Sequence, residues 1–256
     1  MSNFSWKQAT LCAKLSMYAY QDEAGFKKAM KPAKKWQIKF FDFGGTQAYA
    51  LSDKKEFYLV FRGTQPTQWS DIKADLKFRK VKSYADVDGK SEGKVHRGFK
   101  GALDLVWDSI VAHMVKCKAS EKDIIITGHS LGAALATLVA GRLNDPTILL
   151  YTFGSPRVAN SKWNSCQKFQ HFRFRNNNDI VTRVPPAWLG FKHNGELEYF
   201  DYKGIMNTGS GSWYMFQNWF MGMYRGWFSL AGWDSFSDHD ISTYYKLCRS
   251  QMIDED

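Results

Sequence analysis

Hydrophobic and polar residues alternate along the chain with two distinct periods. Short apolar runs rich in β-branched and aromatic residues predict strands, and longer segments with apolar residues three or four positions apart predict amphipathic helices. The predicted strands are Ile38–Phe43, Ala48–Leu51, Phe57–Arg62, Asp123–Thr127, Ile148–Phe153, His171–Arg175 and Glu196–Tyr202. The predicted helices are Phe4–Tyr20, Gln68–Phe78, Gly98–Lys118, Leu131–Leu143, Asn160–Lys168 and Ile241–Arg249. Strands that alternate with helices in this way indicate an α/β architecture.

Length and composition favour one folded unit. The chain has 256 residues, 44% of them hydrophobic, and a chain of this length can bury a large core. The sequence contains no internal repeat, no low-complexity tail and no linker rich in proline and serine. We therefore expect a single domain over residues 1–256.

The most informative motif lies where a predicted strand meets a predicted helix. The sequence G-H-S-L-G at 128–132 follows an apolar run directly and precedes an alanine-rich helix. In that context G-x-S-x-G is typical of a nucleophile elbow, a sharp turn that exposes the serine hydroxyl above the sheet. Glycine at 128 and 132 lets strand and helix pack closely. Ser130 is thus the candidate nucleophile, and a purely structural glycine turn is the alternative.

A serine nucleophile needs a general base and a carboxylate that orients the base. With this elbow, the chain order is serine, acid, histidine. Asp179 follows an alternating strand and a three-asparagine turn, which predicts a carboxylate at the carboxyl edge of the sheet; the alternative is a turn former or helix cap. His239 directly precedes an amphipathic stretch and is the predicted base. His193, in a predicted hairpin, is the alternative base.

The other histidines singled out have simpler explanations. His113 lies on the apolar stripe of a predicted helix, and His171 precedes the candidate acid within a strand. His129 is fixed by the elbow, and its side chain is expected to point away from Ser130. A structural role is therefore predicted for each of them.

Several motifs, in the same order along nearly the whole chain, resemble those of the class 3 lipases, the α/β-hydrolases that include the fungal triacylglycerol lipases. The matching blocks are F-R-G-T at 61–64, Trp69 with D-L at 75–76, H-R-G-F at 96–99, the elbow at 128–136, Y-T-F-G-S-P-R-V at 151–158, D-I-V at 179–181 with prolines at 185–186, and His239 with Tyr244. The resemblance implies an α/β-hydrolase fold, with a central, mostly parallel sheet flanked by helices and a lid segment.

The resemblance also implies a role for each candidate residue. Ser130 would be the nucleophile, His239 the general base and then acid, and Asp179 the partner that fixes the imidazole tautomer. The oxyanion hole would consist of the backbone N–H groups of Leu131 and Thr64, with the Thr64 hydroxyl as a further donor.

Two segments are predicted to control access to the site. The lid, Gln65–Phe78, carries one short apolar stripe that would cover the serine in water and turn to lipid when open; the stripe consists of Trp69, Ile72 and Leu76. The second segment, Gly204–Trp233, is crowded with aromatic residues and has Arg225 as its only charged residue. Three roles are compatible with this aromatic segment: a buried flap, an acyl groove and an interfacial wedge.

The charge balance bears on the partners. The formal net charge is +10, and lysine clusters such as the one at 77–82 can attract the chain to an anionic lipid surface; a basic face that only aids solubility is the alternative. No nucleic-acid-binding motif accompanies the charge, so no nucleic-acid partner is expected. The scattered histidines and the absence of C-x-x-C spacing predict no metal and no cofactor.

The sequence also gives an expectation for location. The N-terminus has no continuous apolar stretch and no small-residue cleavage site, so no signal peptide is expected. The four isolated cysteines, three of which lie on predicted helices (Cys12, Cys117 and Cys248), are predicted to be buried thiols, which favours a reducing compartment. A cytoplasmic or non-classically exported protein is therefore expected, and a mature form whose leader was removed is the alternative.

Three functions are compatible with these features. The favoured one is a serine ester hydrolase that cleaves carboxylic esters of lipids, a triacylglycerol lipase or esterase that acts through an acyl-enzyme. A phospholipase A1 or galactolipase would apply the same chemistry to a charged or sugar-bearing lipid. A non-catalytic lipid-binding or membrane-disrupting protein would keep only the fold, and the complete set of candidate catalytic residues argues against it.

Overall fold

Helices and strands alternate along most of the chain, as the hydrophobic pattern predicts. The computed structural model describes residues 4–31, 36–63, 78–84, 93–208 and 237–255. Its strands are β1 (Gln37–Phe43), β2 (Thr46–Ser52), β3 (Glu56–Phe61), β4 (Lys80–Lys82), β5 (Lys94–His96), β6 (Asp123–His129), β7 (Leu149–Phe153), β8 (Gln170–Asn176), β9 (Glu196–Phe200) and β10 (Met206–Thr208). Its helices are α1 (Trp6–Tyr18), α2 (Glu23–Met30), α3 (Arg97–Lys116), α4 (Leu131–Leu143), α5 (Ser161–Ser165) and α6 (Ile241–Glu255).

Eight strands form one sheet, in the order β1-β2-β3-β6-β7-β8-β9-β10. The five central strands, from β3 to β9, run parallel, and the strands at both edges are antiparallel. β6 therefore lies in the middle of the sheet, and its carboxyl end leads directly into α4. Ligands of open α/β sheets bind at the carboxyl ends of the strands, so this edge is where a functional site is expected.

The core fills both faces of the sheet because successive residues of a strand point to opposite sides. In β3, Phe57 and Leu59 pack with α3 and α4 on one face, whereas Tyr58 and Val60 pack with α1 and α6 on the other. The predicted apolar stripe of α3, from Phe99 to Met114, is buried. The fold class predicted from the sequence, a mostly parallel sheet flanked by helices, is confirmed.

Some elements differ from the prediction. Helix α2 was missed because only Phe26 and Met30 of its eight residues are buried, which is too little to give a helical stripe. Helix α5 is shorter than the predicted Asn160–Lys168, and α6 continues to Glu255. The predicted lid, apart from Phe78, and residues 209–233 of the aromatic segment lie outside the described residues. Within the described part of the chain, no helix combines the length and the apolarity that crossing a bilayer requires.

Candidate active site

The turn that carries Ser130 joins β6 to α4 and has a strained backbone. Ser130 has φ 61° and ψ −128°, a region that is costly for a residue with a Cβ and that occurs preferentially at functional sites. Its N–H donates to the carbonyl of Phe153 in the neighbouring strand β7, at 3.0 Å. The sheet therefore holds the turn in a conformation that an isolated peptide would avoid.

The two glycines of the elbow are required by close packing, as the motif predicts. A Cβ at Gly128 would lie 2.5 Å from the carbonyl carbon and oxygen of Gly132, and one at Gly132 would collide with the carbonyl oxygen of Phe61 at the end of β3. Contacts this short do not occur for real side chains, so any larger residue at either position would push the helix away from the sheet.

The surroundings of Ser130 are compatible with a nucleophile next to an oxyanion hole. The serine is fully buried, and its hydroxyl has no hydrogen-bond partner among the residues that the structure describes. The first backbone bond of the turn runs from the N–H of Ala133 to the carbonyl of Ser130, at 3.0 Å. The N–H of Leu131 comes before that bond, at the start of a helix, where N–H groups have no intrahelical acceptor and can bind an anion. Thr64 lies outside the described residues.

The candidate acid and the candidate base are in direct contact. The Nδ1 atom of His239 lies 2.9 Å from both carboxylate oxygens of Asp179. The carboxylate is fully buried and also accepts hydrogen bonds from the Val181 N–H at 2.9 Å and the Tyr244 hydroxyl at 2.6 Å. Because a carboxylate only accepts, the imidazole proton on this side is held on Nδ1, so Nε2 is the ring nitrogen that can accept a proton.

The three-asparagine turn before Asp179 positions the loop that carries His239. The Nδ2 of Asn176 donates to the backbone carbonyl of Asp238 at 3.0 Å. The carboxylate of Asp238 accepts from the Nδ2 of Asn177 at 3.1 Å and from the N–H of Asn178 at 3.0 Å. Sequence reasoning identified this turn only as the end of a strand. Its partner is about 60 residues away along the chain, and no local pattern reveals the pairing.

Gly154, directly after β7, packs against the hydrogen-bonded pair of Asp179 and His239. Its φ is +57°, and a Cβ there would lie 2.7 Å from Oδ2 of Asp179 and 2.8 Å from Nδ1 of His239. The Y-T-F-G block thus has a physical reason for its glycine: any side chain would occupy the space of the Asp179–His239 hydrogen bond.

The histidine before the nucleophile also belongs to the site. The rings of His129 and His239 have centroids 4.4 Å apart. The Nε2 of His129 lies 2.7 Å from the backbone carbonyl oxygen of His239, and its Nδ1 lies 2.8 Å from the hydroxyl of Tyr20. Burial, with a smaller contribution from His239, lowers the pKa of His129 well below its usual value. These contacts connect the turn of Ser130 to the loop that carries His239.

His193, the alternative base, has different partners. Its Nε2 lies 2.8 Å from the carbonyl oxygen of Thr182, and its ring lines a small cavity together with His171 and Arg173. Burial and the neighbouring arginines lower the pKa of His193 well below its usual value. The carboxylate of Asp179 is bonded by His239 instead, so the geometry favours His239 as the base.

The described residues do not form the kind of ligand cluster that holds a metal ion. No group of three or more histidine, cysteine, aspartate or glutamate side chains is arranged there to hold a metal ion. The cysteines are free thiols, and of the four expected to be buried, Cys12 and Cys248 are buried while Cys117 and Cys166 are partly exposed.

Solved structures of fungal lipases have a similar fold. The structure of Rhizomucor miehei triacylglyceride lipase matches with a TM-score of 0.68 and 27% sequence identity, over 81% of this chain and 84% of that one. This similarity confirms the α/β-hydrolase fold that the sequence motifs imply.

The comparison with sequences corrects the expected location. The secreted mono- and diacylglycerol lipase A of Penicillium cyclopium is 36% identical over 104 residues, which are 38% of this chain and 34% of that protein. A secreted relative contradicts the expectation of a cytoplasmic or non-classically exported protein, which was wrong. Free cysteines misled the prediction: a thiol buried like Cys12 or Cys248 is shielded from other thiols, so its reduced state says little about the compartment.

The family follows from two sequence matches. The lipase of Rhizomucor miehei is 36% identical over 185 residues, which are 67% of this chain and 48% of that protein, so the chain spans about half the length of this relative. The sequence profile described as lipase (class 3) matches residues 58–188, a range that includes the elbow and Asp179. With more than half of its residues covered by that profile and with the matching fold, the chain belongs to the class 3 lipase family.

Proposed function

We propose that this chain is a serine ester hydrolase that cleaves carboxylic esters of lipids. The observation that carries the proposal is the buried hydrogen bond of 2.9 Å between Asp179 and His239, next to an elbow that holds Ser130 in a strained turn. A buried carboxylate bonded to Nδ1 is what a histidine base needs in order to present a basic Nε2 to a hydroxyl. The same arrangement has no evident use in a protein that only binds lipid.

In the proposed reaction, His239 Nε2 takes the proton of the Ser130 hydroxyl while the serine oxygen attacks the ester carbonyl carbon. The carbonyl oxygen becomes an oxyanion, which the N–H groups of Leu131 and Thr64 stabilise, each by about 3–4 kcal/mol. The imidazolium then gives its proton to the leaving alcohol, and an acyl-serine remains. Water then repeats the sequence: it loses a proton to His239 and attacks the acyl carbon. As the bond to the serine oxygen breaks, the imidazolium returns that proton to Ser130 and the fatty acid is released.

Acylglycerols are the proposed substrates, and the proposed location is extracellular. Both proposals are supported by the names of the relatives, which describe a triacylglyceride lipase and a secreted mono- and diacylglycerol lipase. A phospholipid is the second candidate substrate, because a net charge of +10 favours contact with an anionic lipid surface. We propose no metal, cofactor or nucleic-acid partner for the reaction.

The decisive variant is Ser130→Ala. Because nucleophile, base and acid act as a unit, ester hydrolysis is expected to fall on the order of 10⁴-fold or more. Ser16→Ala serves as the control, since Ser16 is also buried but bonds to Thr127. Initial rates on a soluble p-nitrophenyl ester and melting temperatures are measured for both. If the Ser130 variant keeps a tenth of the wild-type rate, the serine is not the nucleophile.

The substrate class is tested with the wild-type protein on triolein, a diacylglycerol and phosphatidylglycerol, each presented as an emulsion or vesicle. Faster fatty-acid release from the neutral acylglycerols supports the proposal, whereas faster release from phosphatidylglycerol favours the phospholipase. Binding to vesicles without any fatty-acid release would point to a non-catalytic protein.

A further inference from the structure

The side chains of Tyr20 and His129 form a hydrogen-bonded path that ends on the backbone of His239. We propose that these two residues are positioning residues for the base: they fix the loop and the ring plane of His239 for proton transfer. The inference rests on the proposed role of His239 and adds a requirement to it, since neither Tyr20 nor His129 touches the reacting atoms.

The direction of each hydrogen bond follows from the partners. A backbone carbonyl can only accept, so at 2.7 Å the Nε2 of His129 must carry the hydrogen and donate it to the carbonyl of His239. A neutral imidazole carries one ring hydrogen, so its Nδ1 is an acceptor. The Tyr20 hydroxyl, at 2.8 Å, is then the donor. The path therefore runs one way, from Tyr20 through His129 to the loop of His239.

The path works only with a neutral His129. A second ring proton would leave Nδ1 without an acceptor lone pair and would place a cation 4.4 Å from His239, which itself becomes charged during the proposed reaction. Complete burial keeps the pKa of His129 far below its usual value. Burial also raises the pKa of Tyr20, so the hydroxyl keeps the proton that it donates.

The hydrogen bond to Asp179 alone does not fix the base. It sets the tautomer, but the loop that carries His239 could still shift along the sheet edge. Two consecutive carbonyls of that loop are held from different elements: Asn176 bonds the carbonyl of Asp238 at 3.0 Å, and His129 bonds that of His239 at 2.7 Å. The ring of His129, tilted by 34° against that of His239 with the centroids 4.4 Å apart, then restricts the rotation of the imidazole.

Tyr20 also lies against the segment that leads from β3 to Thr64, the residue predicted to contribute to the oxyanion hole. A Cβ at Gly63, the last described residue before Thr64, would collide with the Tyr20 hydroxyl and lie 2.6 Å from the carbonyl oxygen of His129. The end of α1, the segment just after β3 and the elbow thus meet at one hydroxyl group, and His129 links that group to the loop of the base. Displacement of that group is expected to affect the geometry of the site rather than the affinity for substrate.

The test compares three variants of the full chain, His129→Leu, His129→Gln and Tyr20→Phe. A glutamine amide can replace the Nε2–H donor, whereas leucine cannot. The kcat on a soluble ester is expected to fall about 100-fold in His129→Leu and about tenfold in Tyr20→Phe, with KM within about twofold, and to stay within about fivefold in His129→Gln, because small misplacements of reacting groups lower rate more than binding.

Two matched controls remove similar groups away from the site. His171→Leu deletes another buried histidine with two hydrogen bonds, and Tyr49→Phe deletes a hydroxyl that bonds the carbonyl of Gln21. Both are expected to lower the melting temperature without a matching loss of kcat. If His129→Leu and Tyr20→Phe lose no more kcat than these controls, the inference is overturned. If His129→Leu does not fold, Tyr20→Phe against Tyr49→Phe decides the matter by the same criterion.

A second readout separates this inference from the proposed function. The proton between His239 Nδ1 and Asp179 gives a low-field ¹H NMR signal without any substrate. That signal is expected to broaden through exchange in His129→Leu and to remain sharp in His129→Gln and His171→Leu. An unchanged signal in His129→Leu would overturn the positioning role. Full activity of Ser130→Ala, together with a broadened signal in His129→Leu, would overturn only the proposed reaction.

Discussion

Gly154 shows how little free space surrounds the Asp179–His239 pair. A methyl group at this position would lie within 2.8 Å of polar atoms of both residues, and the backbone has a positive φ that favours glycine. The motif and the chain order predict Ser130, Asp179 and His239 as the catalytic residues, and the contact between Asp179 and His239 is compatible with that prediction. Sequence reasoning missed the contacts of Gly154 and His129, because such contacts exist only once distant segments have been brought together.

Gly154→Ala is expected to lower kcat at least about 100-fold, since the added methyl group displaces the reacting groups. Gly45→Ala is the matched control: its φ is +80°, but nothing lies within 4 Å of the added Cβ. Both variants carry the strain of a left-handed residue, about 1–2 kcal/mol of unfolding free energy. Kinetics and denaturant unfolding on both variants test the steric explanation, which is wrong if the two lose the same activity.

At the scale of elements, prediction succeeded where the pattern is strong and local. The strand and helix on either side of the elbow were predicted at β6 and α4, and α4 begins and ends at the predicted residues. Prediction failed for α2 and the short β4–β5 pair, which have too few buried residues to show a period. The family resemblance implied a mostly parallel sheet but no strand order, since strand pairing is set by long-range contacts.

Helix α6 contributes the side chain of Tyr244 to the site. The Tyr244 hydroxyl donates to Asp179 at 2.6 Å and accepts from the Asn176 N–H at 2.9 Å. Tyr244→Phe leaves a buried N–H unpaired and removes one donor from the carboxylate, which is expected to destabilise the fold by about 1–3 kcal/mol and to lower kcat about tenfold.

The Tyr244 variant is compared with Tyr49→Phe by denaturant unfolding and by kcat on a soluble ester. Tyr49 also donates one hydrogen bond, but to a backbone carbonyl in another part of the molecule. A loss of stability in both and of kcat only in Tyr244→Phe supports the role of α6. An unchanged kcat in Tyr244→Phe would mean that Asp179 is held adequately by its other donors.

At the scale of the whole molecule, the fold keeps several histidines neutral. Burial is the largest cause in every case, and the histidines with a lowered pKa are His96, His113, His129, His171 and His193. The pKa falls to about 4 for His96 and to about 3 for His171, from an ordinary value of 6.5. A positively charged chain that must also take up these protons on unfolding is expected to be sensitive to acid.

The direction in which the unfolding free energy changes with pH follows from the number of protons that each state binds. Below pH 6.5 the unfolded chain protonates His96 and His171, whereas the folded chain does not until the pH approaches their lowered pKa values of about 4 and about 3. The unfolded state thus binds more protons, and the unfolding free energy falls as the pH falls from 6.5 towards 4, by about 1.4 kcal/mol per pH unit for each such histidine. His171→Gln is expected to reduce that slope by about this amount.

Thr152→Val, which removes the partner of the His171 Nε2 but keeps the titrating ring, is expected to lower stability at every pH without reducing the slope. Urea unfolding of the three proteins at pH 4.5, 5.5 and 6.5 measures the slopes. Equal slopes for wild type and His171→Gln would mean that His171 is already protonated, or exposed, in the folded protein over this range.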